Sequence, residues 1–324
     1  MAAKGSVFTV LLALLANTAV GVMKLVAGLL SGSAALLSEA AHSAGDMSTE
    51  LLLLTALRRS ARPADPVHPF GYGKERFFWS LLAAVAIFVS GAVFSVYEGL
   101  RTIIGGGESS RMLWINYPVL ALALVFEAVS LRQAVRQTRG EARQRRRSVR
   151  SVVREPHDPT VRSVLLEDSA AVAGIIVAAV GVGLHELTGS AVWDGAASLV
   201  IGALLVLAAV LLARSCKALL VGKQADPRLM RNIESVLEQQ DEVDDVVDLL
   251  TMMTGADRVL LCTRVDFADG FTTSELERAC VRIDRTLRAR FPELDEIFMQ
   301  PAPKWDQQVR ARVRRRYGHD LAGR

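Results

Sequence analysis

Six apolar stretches in this chain are each long enough to cross the hydrocarbon core of a bilayer, which takes about 20 residues in a helix. They are 7–30, 34–57, 77–104, 112–131, 163–184 and 192–220. Of the 324 residues, 51% are hydrophobic, a share typical of a multi-span membrane protein with a soluble appendage. The first stretch is too long for the apolar core of a signal peptide, so we expect it to be the first span.

Positive charge is distributed unevenly over the links between these stretches. The second-to-third and fourth-to-fifth links are long and basic. The links on the opposite side of the membrane contain few basic residues beyond Arg101 and Arg111. The basic residues are Arg58, Arg59, Arg62, Lys74 and Arg76 in one link and Arg136, Arg139, Arg143, Arg145, Arg146, Arg147, Arg150 and Arg154 in the other. Since positive links stay in the cytoplasm, we expect a multi-pass protein of the cell (inner) membrane with both termini cytoplasmic. The basic run over 132–154 is interpreted as a topology determinant or an anionic-lipid contact rather than a nucleic-acid site.

The second stretch carries ionisable residues inside an otherwise apolar span. At 100° per residue, His42 and Asp46 are one turn apart on one helix face, and Glu39 lies on the same side. Ionisable groups at membrane depth cost about 3 kcal/mol each on insertion scales and usually face a functional interior. His and Asp at i and i+4 also have a metal-ligand spacing. The pattern predicts an intramembrane cation site in preference to a polar cluster that only holds helices together.

The fifth stretch supplies further acidic candidates. Glu167 and Asp168 are adjacent, so they point about 100° apart on a helix. Mostly small residues follow at 169–174, and small residues let another helix approach closely. We expect this helix to pack on the second one, with Asp168 near its His and Asp. Other polar residues in the spans, each interpreted as a structural hydrogen bond or an interface position, are Asn17, Lys24, Glu127 and Asp194.

Beyond residue 220 the sequence changes to patterns typical of a soluble α+β domain. Asp226 is a candidate N-cap followed by Pro227, and Thr272 with Glu275 forms a capping box before a second helix. The stretches 243–255, 257–268 and 294–303 are predicted strands, the first two separated by a turn at 255–257. The predicted order is helix, strand, strand, helix, strand, followed by a basic tail from Trp305 that we expect to be a frayed or surface helix.

Several motifs of this chain resemble the cation diffusion facilitator family of proton-coupled zinc transporters. They are AHSAGD in the second stretch, HPFGYGKER before the third, and VWDGAASLVIGALL with LLVGKQADP in and after the sixth. The resemblance implies an α-helical membrane protein, with a six-transmembrane-helix bundle (1–222), a C-terminal cytoplasmic α+β ferredoxin-like domain (223–303) that forms a homodimer, and a basic tail (304–324). The segment LLEDSAAVAG is similar to the branch of the family with a Glu-Asp pair in the fifth transmembrane helix.

The same resemblance implies a ligand set for the transported metal. In the family, the second and fifth helices each provide two ligands, and these positions correspond here to His42, Asp46 and Asp168. The remaining position falls on Val164, which cannot bind metal, so Glu167, Glu39 or water is expected to complete the site. The stretch 225–303 contains no histidine, so tight zinc binding by the soluble domain is not expected.

The expected function is efflux of a divalent metal ion, most simply zinc in exchange for protons, with the ion, protons and the bilayer as partners and no nucleic acid. One nitrogen and two carboxylates suit tetrahedral zinc and neutralise its charge. Export of manganese, iron or cobalt is the alternative within the family, because ligand affinity alone does not choose among these ions. A membrane interaction protein without transport is a further alternative. A membrane-embedded enzyme such as a metalloprotease is disfavoured, because the sequence has no HExxH motif and no Ser/His pair placed for nucleophilic catalysis. The cysteines (Cys216, Cys262 and Cys280) form no CxxC pair, so neither a disulfide framework nor a zinc finger is suggested.

Overall fold

The computed structural model of the protein describes residues 2–105, 113–144 and 159–317. The chain separates into two compact units, Met1–Arg59 with Glu75–Lys217 (unit 1) and Ser60–Lys74 with Ala218–Arg324 (unit 2). Some residues used in the sequence analysis lie outside the described residues, namely Arg111, the basic run from Arg145 to Arg154, and the end of the predicted tail at 318–324.

Unit 1 is built from long helices. α1 spans Ala2–Ser31, α2 Ala34–Ser60, α3 Glu75–Ala86, α4 Phe94–Gly105, α5 Asn116–Gln144, α6 Pro159–Thr188 and α7 Val192–Val221. Four segments within the described residues are long and apolar enough to cross a membrane, Glu75–Gly105, Asn116–Gly140, Val164–Thr188 and Val192–Val221. They correspond to the third to sixth predicted spans. Asn17–Ser31 in α1 is a shorter apolar segment, and α2 is interrupted by the acidic residues and the histidine that make it a candidate site.

The third predicted span contains a feature that apolar periodicity does not reveal. A π-helical segment, Ile87–Val93, joins α3 to α4. Within it, the Ser90 hydroxyl donates to the carbonyl oxygen of Ala86 at 2.6 Å. Hydrogen bonds from a serine to the preceding turn often bend helices, and single π-turns are frequent at functional sites.

Helix α5 is longer than the apolar stretch from which it was predicted. A short 3-10 turn, Leu113–Ile115, precedes it, and its described residues run to Gln144, past residue 131 where the apolar stretch stops. The additional turns contain Arg136, Arg139 and Arg143. Arginine and glutamine have high helix propensity, so the helix continues where the apolar run stops.

Unit 2 contains a small α+β fold with the predicted order of elements. α8 spans Pro227–Glu238, β1 Val243–Gly255, β2 Arg258–Phe267, α9 Thr273–Arg290, β3 Leu294–Pro301 and α10 Gln307–Tyr317. The described sheet has the order β1-β2-β3, with β2 antiparallel to β1 and parallel to β3. Both predicted caps are confirmed: Asp226 Oδ1 accepts from the Arg228 amide at 2.7 Å, and Glu275 Oε2 accepts from the Thr272 amide at 2.8 Å.

Helix α10 lies in the segment that the sequence analysis described as a tail. It packs on β1, and its Val309 and Val313 are buried. The fully buried carboxylate of Asp248 on β1 accepts from Arg316 Nη1 at 3.1 Å and from Arg264 Nη1 at 2.6 Å. A buried charge with two such partners is satisfied, so these contacts hold α10 on the sheet.

The link between α2 and α3 is also an ordered part of unit 2. Asp65 Oδ2 accepts from Tyr72 Oη at 2.6 Å, and its Oδ1 accepts from the His68 amide at 2.7 Å. The hydrogen bond from Tyr72 is the main reason why the pKa of Asp65 lies below its ordinary value. Gly73 packs so closely on the turn between β1 and β2 that a side chain there would overlap the carbonyl oxygen of Thr254.

Candidate functional site

Helices α1 and α2 are held side by side by polar contacts across an antiparallel pair. Asn17 Nδ2 donates to Glu50 Oε1 at 2.7 Å near one end of the pair. Lys24 Nζ donates to Glu39 Oε2 at 3.0 Å and to Ser43 Oγ at 3.1 Å two turns further along α1. Three of the polar residues of α2, Glu39, Ser43 and Glu50, therefore have partners on α1 at matching heights.

Two other elements approach α2 closely through glycines. Gly45 of α2 packs on the π-helical segment, where an added Cβ would lie 2.8 Å from Ser90 Oγ. Gly174 of α6 packs on Glu39, and an added Cβ would overlap Glu39 Oε1. A glycine at such a contact lets two backbones come closer than any side chain would allow. The fifth transmembrane stretch thus touches the second at Gly174 and Glu39, while it packs mainly on α5.

The N-terminus of α2 is capped by a residue from the start of α7. Asp194 Oδ1 accepts from Ser33 Oγ at 2.7 Å, and its Oδ2 accepts from the amides of Ala34 and Ala35. An aspartate at this position satisfies orphan backbone donors and interacts favourably with the helix dipole. Asp194 is therefore a structural hydrogen-bonding residue, as the sequence analysis interpreted it, and it fixes the end of the helix that carries the candidate ligands.

His42 and Asp46 lie together on α2, one turn apart. His42 Nδ1 is 3.4 Å from Asp46 Oδ1, and the histidine is 1% exposed. His42 Nε2 is buried and has no hydrogen-bond partner within the described residues. Buried polar atoms are almost always paired, so this ring nitrogen is available to a ligand.

The acidic pair on α6 divides between two environments. Asp168 Oδ2 accepts from Ser130 Oγ of α5 at 2.8 Å, and its side chain is half-buried. Glu167 is buried, and it lies on the helix face that also carries Ala171 and Gly174. The face of α6 that approaches α2 is therefore the face of Glu167, with Asp168 turned towards α5.

The structure brings some of the candidate residues together and leaves others apart. Asp46 interacts electrostatically with Glu127, Lys24, Asp168 and Glu39. In the part of the chain that the structure describes, no three His, Cys, Asp or Glu side chains are close enough to hold one metal ion. His42 and Asp46 thus form a pair, while Asp168 is hydrogen-bonded to Ser130 and Glu39 is bonded to Lys24.

Sequence reasoning found most of these residues and missed three features. Lys24 was noted as a buried polar residue, but its partner on α2 was not identified. Ser130, which holds Asp168, has no distinguishing sequence signal. The π-helical segment has a weak one, the Ser90–Gly91 pair, because glycine and serine pairs are common where helices kink.

Comparison with known proteins relates the helical unit to metal transport. Residues 10–221 match the family model described as the cation efflux transmembrane domain. The human mitochondrial proton-coupled zinc antiporter SLC30A9 is 34% identical over 302 residues, which cover 91% of this chain and 52% of that protein. Metal tolerance protein C4 of Arabidopsis thaliana is 28% identical over 291 residues, or 90% of this chain and 62% of that protein. The manganese efflux system protein MneP of Bacillus subtilis is 22% identical over 306 residues, which cover 92% of this chain and 96% of that protein. The chain spans about half the length of the mitochondrial relatives.

Proposed function

The chain belongs to the cation efflux family, and from that premise we propose that it exports a divalent metal ion, zinc in the first instance, in exchange for protons. Transport proceeds by alternating access, in which helices rearrange around a site that opens first to one side of the membrane and then to the other. Zinc and proton exchange are suggested by the similarity to the mitochondrial zinc antiporters. The protein is proposed as a transporter, and no residue is assigned a catalytic role.

The single observation that carries the proposal is the buried His42 beside Asp46 on a helix surrounded by apolar helices. An unpaired buried polar atom such as His42 Nε2 costs about 1–3 kcal/mol, so its position needs a reason. The carboxylate of Asp46 lies 3.4 Å from Nδ1, and the buried Nε2 is the ring nitrogen that can bind a metal. We assign His42, Asp46 and Asp168 as ligands of the transported ion, with two carboxylates to balance a divalent charge.

The fourth ligand is assigned to Glu167 ahead of Glu39. Val164, at the position suggested by family resemblance, has no ligand atom. Lys24 holds Glu39, and Glu167 is chosen for its position on the face of α6 that approaches α2. Asp168 follows Glu167 directly and points about 100° away, so a rotation of α6 by about half that angle during alternating access would turn both carboxylates partly towards α2.

Manganese export is the second candidate. A site with one nitrogen and several carboxylate oxygens also suits harder ions, and the chain is similar to a manganese efflux protein over 96% of that protein's length. Iron and cobalt are further possibilities of the same class. A membrane interaction protein without transport is the alternative of a different class.

Metal flux into proteoliposomes tests all of these alternatives together. The full chain is reconstituted, a pH gradient is imposed, and zinc and manganese uptake are followed with indicator dyes inside the vesicles. We expect zinc uptake that depends on the gradient and collapses when a protonophore is added. Uptake of manganese alone would support the second candidate, and no uptake of any divalent metal would contradict the assignment to transport.

We propose that the chain spans the membrane six times, with α1 and α2 as the first two spans. We also propose that it lies in the cell (inner) membrane with both termini in the cytoplasm. The support is the excess of arginine and lysine in two links. In a background without native cysteines, an impermeant thiol reagent added outside should label Gly189→Cys and leave Asp269→Cys unlabelled. The reverse pattern would invert the orientation.

We also propose the domain division 1–222 and 223–303, with a ferredoxin-like soluble domain that forms a homodimer. The described order of helices and strands in unit 2 supports this topology, and α10 extends the domain beyond 303. Cross-linking of the purified full chain should give a band at about twice 35.1 kDa. Exclusively monomeric protein at micromolar concentration would contradict the dimer.

A further inference from the structure

A buried ammonium group lies beside the candidate metal centre. Lys24 and Glu39 are both fully buried, and Lys24 Nζ is bonded to Glu39 Oε2 at 3.0 Å and to Ser43 Oγ at 3.1 Å. Glu39 precedes His42 by one turn, and Ser43 follows His42 directly. The ammonium group of Lys24 therefore contacts the same two turns of α2 that carry the proposed ligands.

The charge of Lys24 acts on more than its direct partner. Its ammonium interacts electrostatically with Glu39, Glu127 and Asp46, and it also acts on His42. Interactions between charges are strong in a low-dielectric interior, where water does not screen them. Lys24 thus belongs to the same electrostatic group as the proposed metal ligands.

Stability alone does not explain why this ion pair is buried here. Apolar residues of similar volume are often as stable as a buried ion pair, because removing two charges from water is costly. The pair is also incompletely bonded, since Glu39 Oε1 has no hydrogen-bond partner within the described residues. A buried ion pair that lacks one of its hydrogen bonds contributes little to the stability of the fold, so its charges are expected to have another role.

We propose that Lys24 is a tethered counter-cation of the transport site, which holds Glu39 out of the metal's ligand set and weakens metal binding through its own positive charge. This inference rests on the proposed transport of a divalent ion. A transporter has to release its ion, and a site with uncompensated carboxylates would retain it. By neutralising Glu39, Lys24 leaves His42, Asp46 and the acidic residues of α6 to hold the metal.

Zinc binding to charge variants of the full chain tests the proposal. The dissociation constant for zinc chloride is measured by titration calorimetry at one fixed pH in detergent. Lys24→Met removes a positive charge near the ion and should bind zinc about 10-fold more tightly. Glu39→Gln removes a negative charge and leaves that of Lys24 unbalanced, so it should bind zinc about 10-fold more weakly. The double variant should lie between the two single variants. Lys217→Met, which removes an exposed lysine of α7, is the matched control and should leave the constant unchanged.

The outcomes separate this inference from the proposed function. If the unmodified chain does not bind zinc, manganese or cobalt, the proposed function is wrong. If it binds zinc while the two single variants shift the constant in the same direction or not at all, Lys24 has no such role. Folding of each variant is judged by size-exclusion chromatography and thermal melting. If both single variants fail to fold while the double variant folds, the pair is structural and the proposed role of Lys24 is wrong.

Discussion

Replacing Asp46 or Asp168 by alanine is expected to abolish proton-driven zinc uptake, with a loss of more than about 100-fold in rate. Each substitution removes one of the assigned carboxylate ligands, so the ion loses both a coordinating oxygen and a neutralising charge. Asp46→Ala also removes the carboxylate that lies 3.4 Å from His42 Nδ1, so the pair of neighbouring ligands on α2 is lost as well. The measurement is zinc uptake into proteoliposomes under an imposed pH gradient, with the amount of folded protein checked by size-exclusion chromatography.

The control for this experiment is another acidic residue on α6. Glu186 is exposed and accepts from Tyr117 Oη at 2.5 Å, far along the helix from Asp168. Glu186→Gln should therefore keep normal uptake. Undiminished pH-driven uptake in both the Asp46→Ala and Asp168→Ala proteins would rule out these residues as ligands, whatever the control shows.

Adding a single methyl group at Gly174 is expected to reduce zinc uptake by at least about 10-fold. A Cβ there would overlap Glu39 Oε1 and lie 3.4 Å from Glu39 Cδ. The carboxylate cannot move freely, because Lys24 holds it from the other side at 3.0 Å. Gly174→Ala must therefore either break the ion pair or push α6 away from α2, and both changes disturb the proposed site.

The chain offers a matched control on the same helix. Among the residues that the structure describes, an added Cβ at Gly183 would meet Tyr117 Oη alone, at an ordinary contact distance of 3.9 Å. Gly183→Ala should therefore transport zinc at the normal rate, and it should fold as well as the unmodified protein. Equal uptake by the two alanine variants would mean that the close contact between α2 and α6 does not matter for transport.

The sequence predicted those features of the protein that depend on neighbouring residues. Hydrophobic length and helical phase placed His42, Asp46 and Glu39 on one face of one helix, because a helix repeats every 3.6 residues whatever surrounds it. The caps at Asp226 and at Thr272 were predicted correctly for the same reason, since a cap bonds to its own helix within three residues. The order of strands and helices in unit 2 also followed from local patterns.

The tertiary structure decided which partners these residues have. Glu39 bonds to Lys24, 15 residues away on another helix, and Asp194 caps α2 from 160 residues along the chain. Both contacts depend on the distance between helices, which no local pattern encodes. Asp168 was expected beside His42 from the spacing of small residues, but a 100° difference in phase places Glu167 on the face towards α2 and leaves Asp168 bonded to Ser130. The sequence thus determined which helices carry the charged residues, and helix packing determined which of those charges are already paired and which remain available to a metal ion.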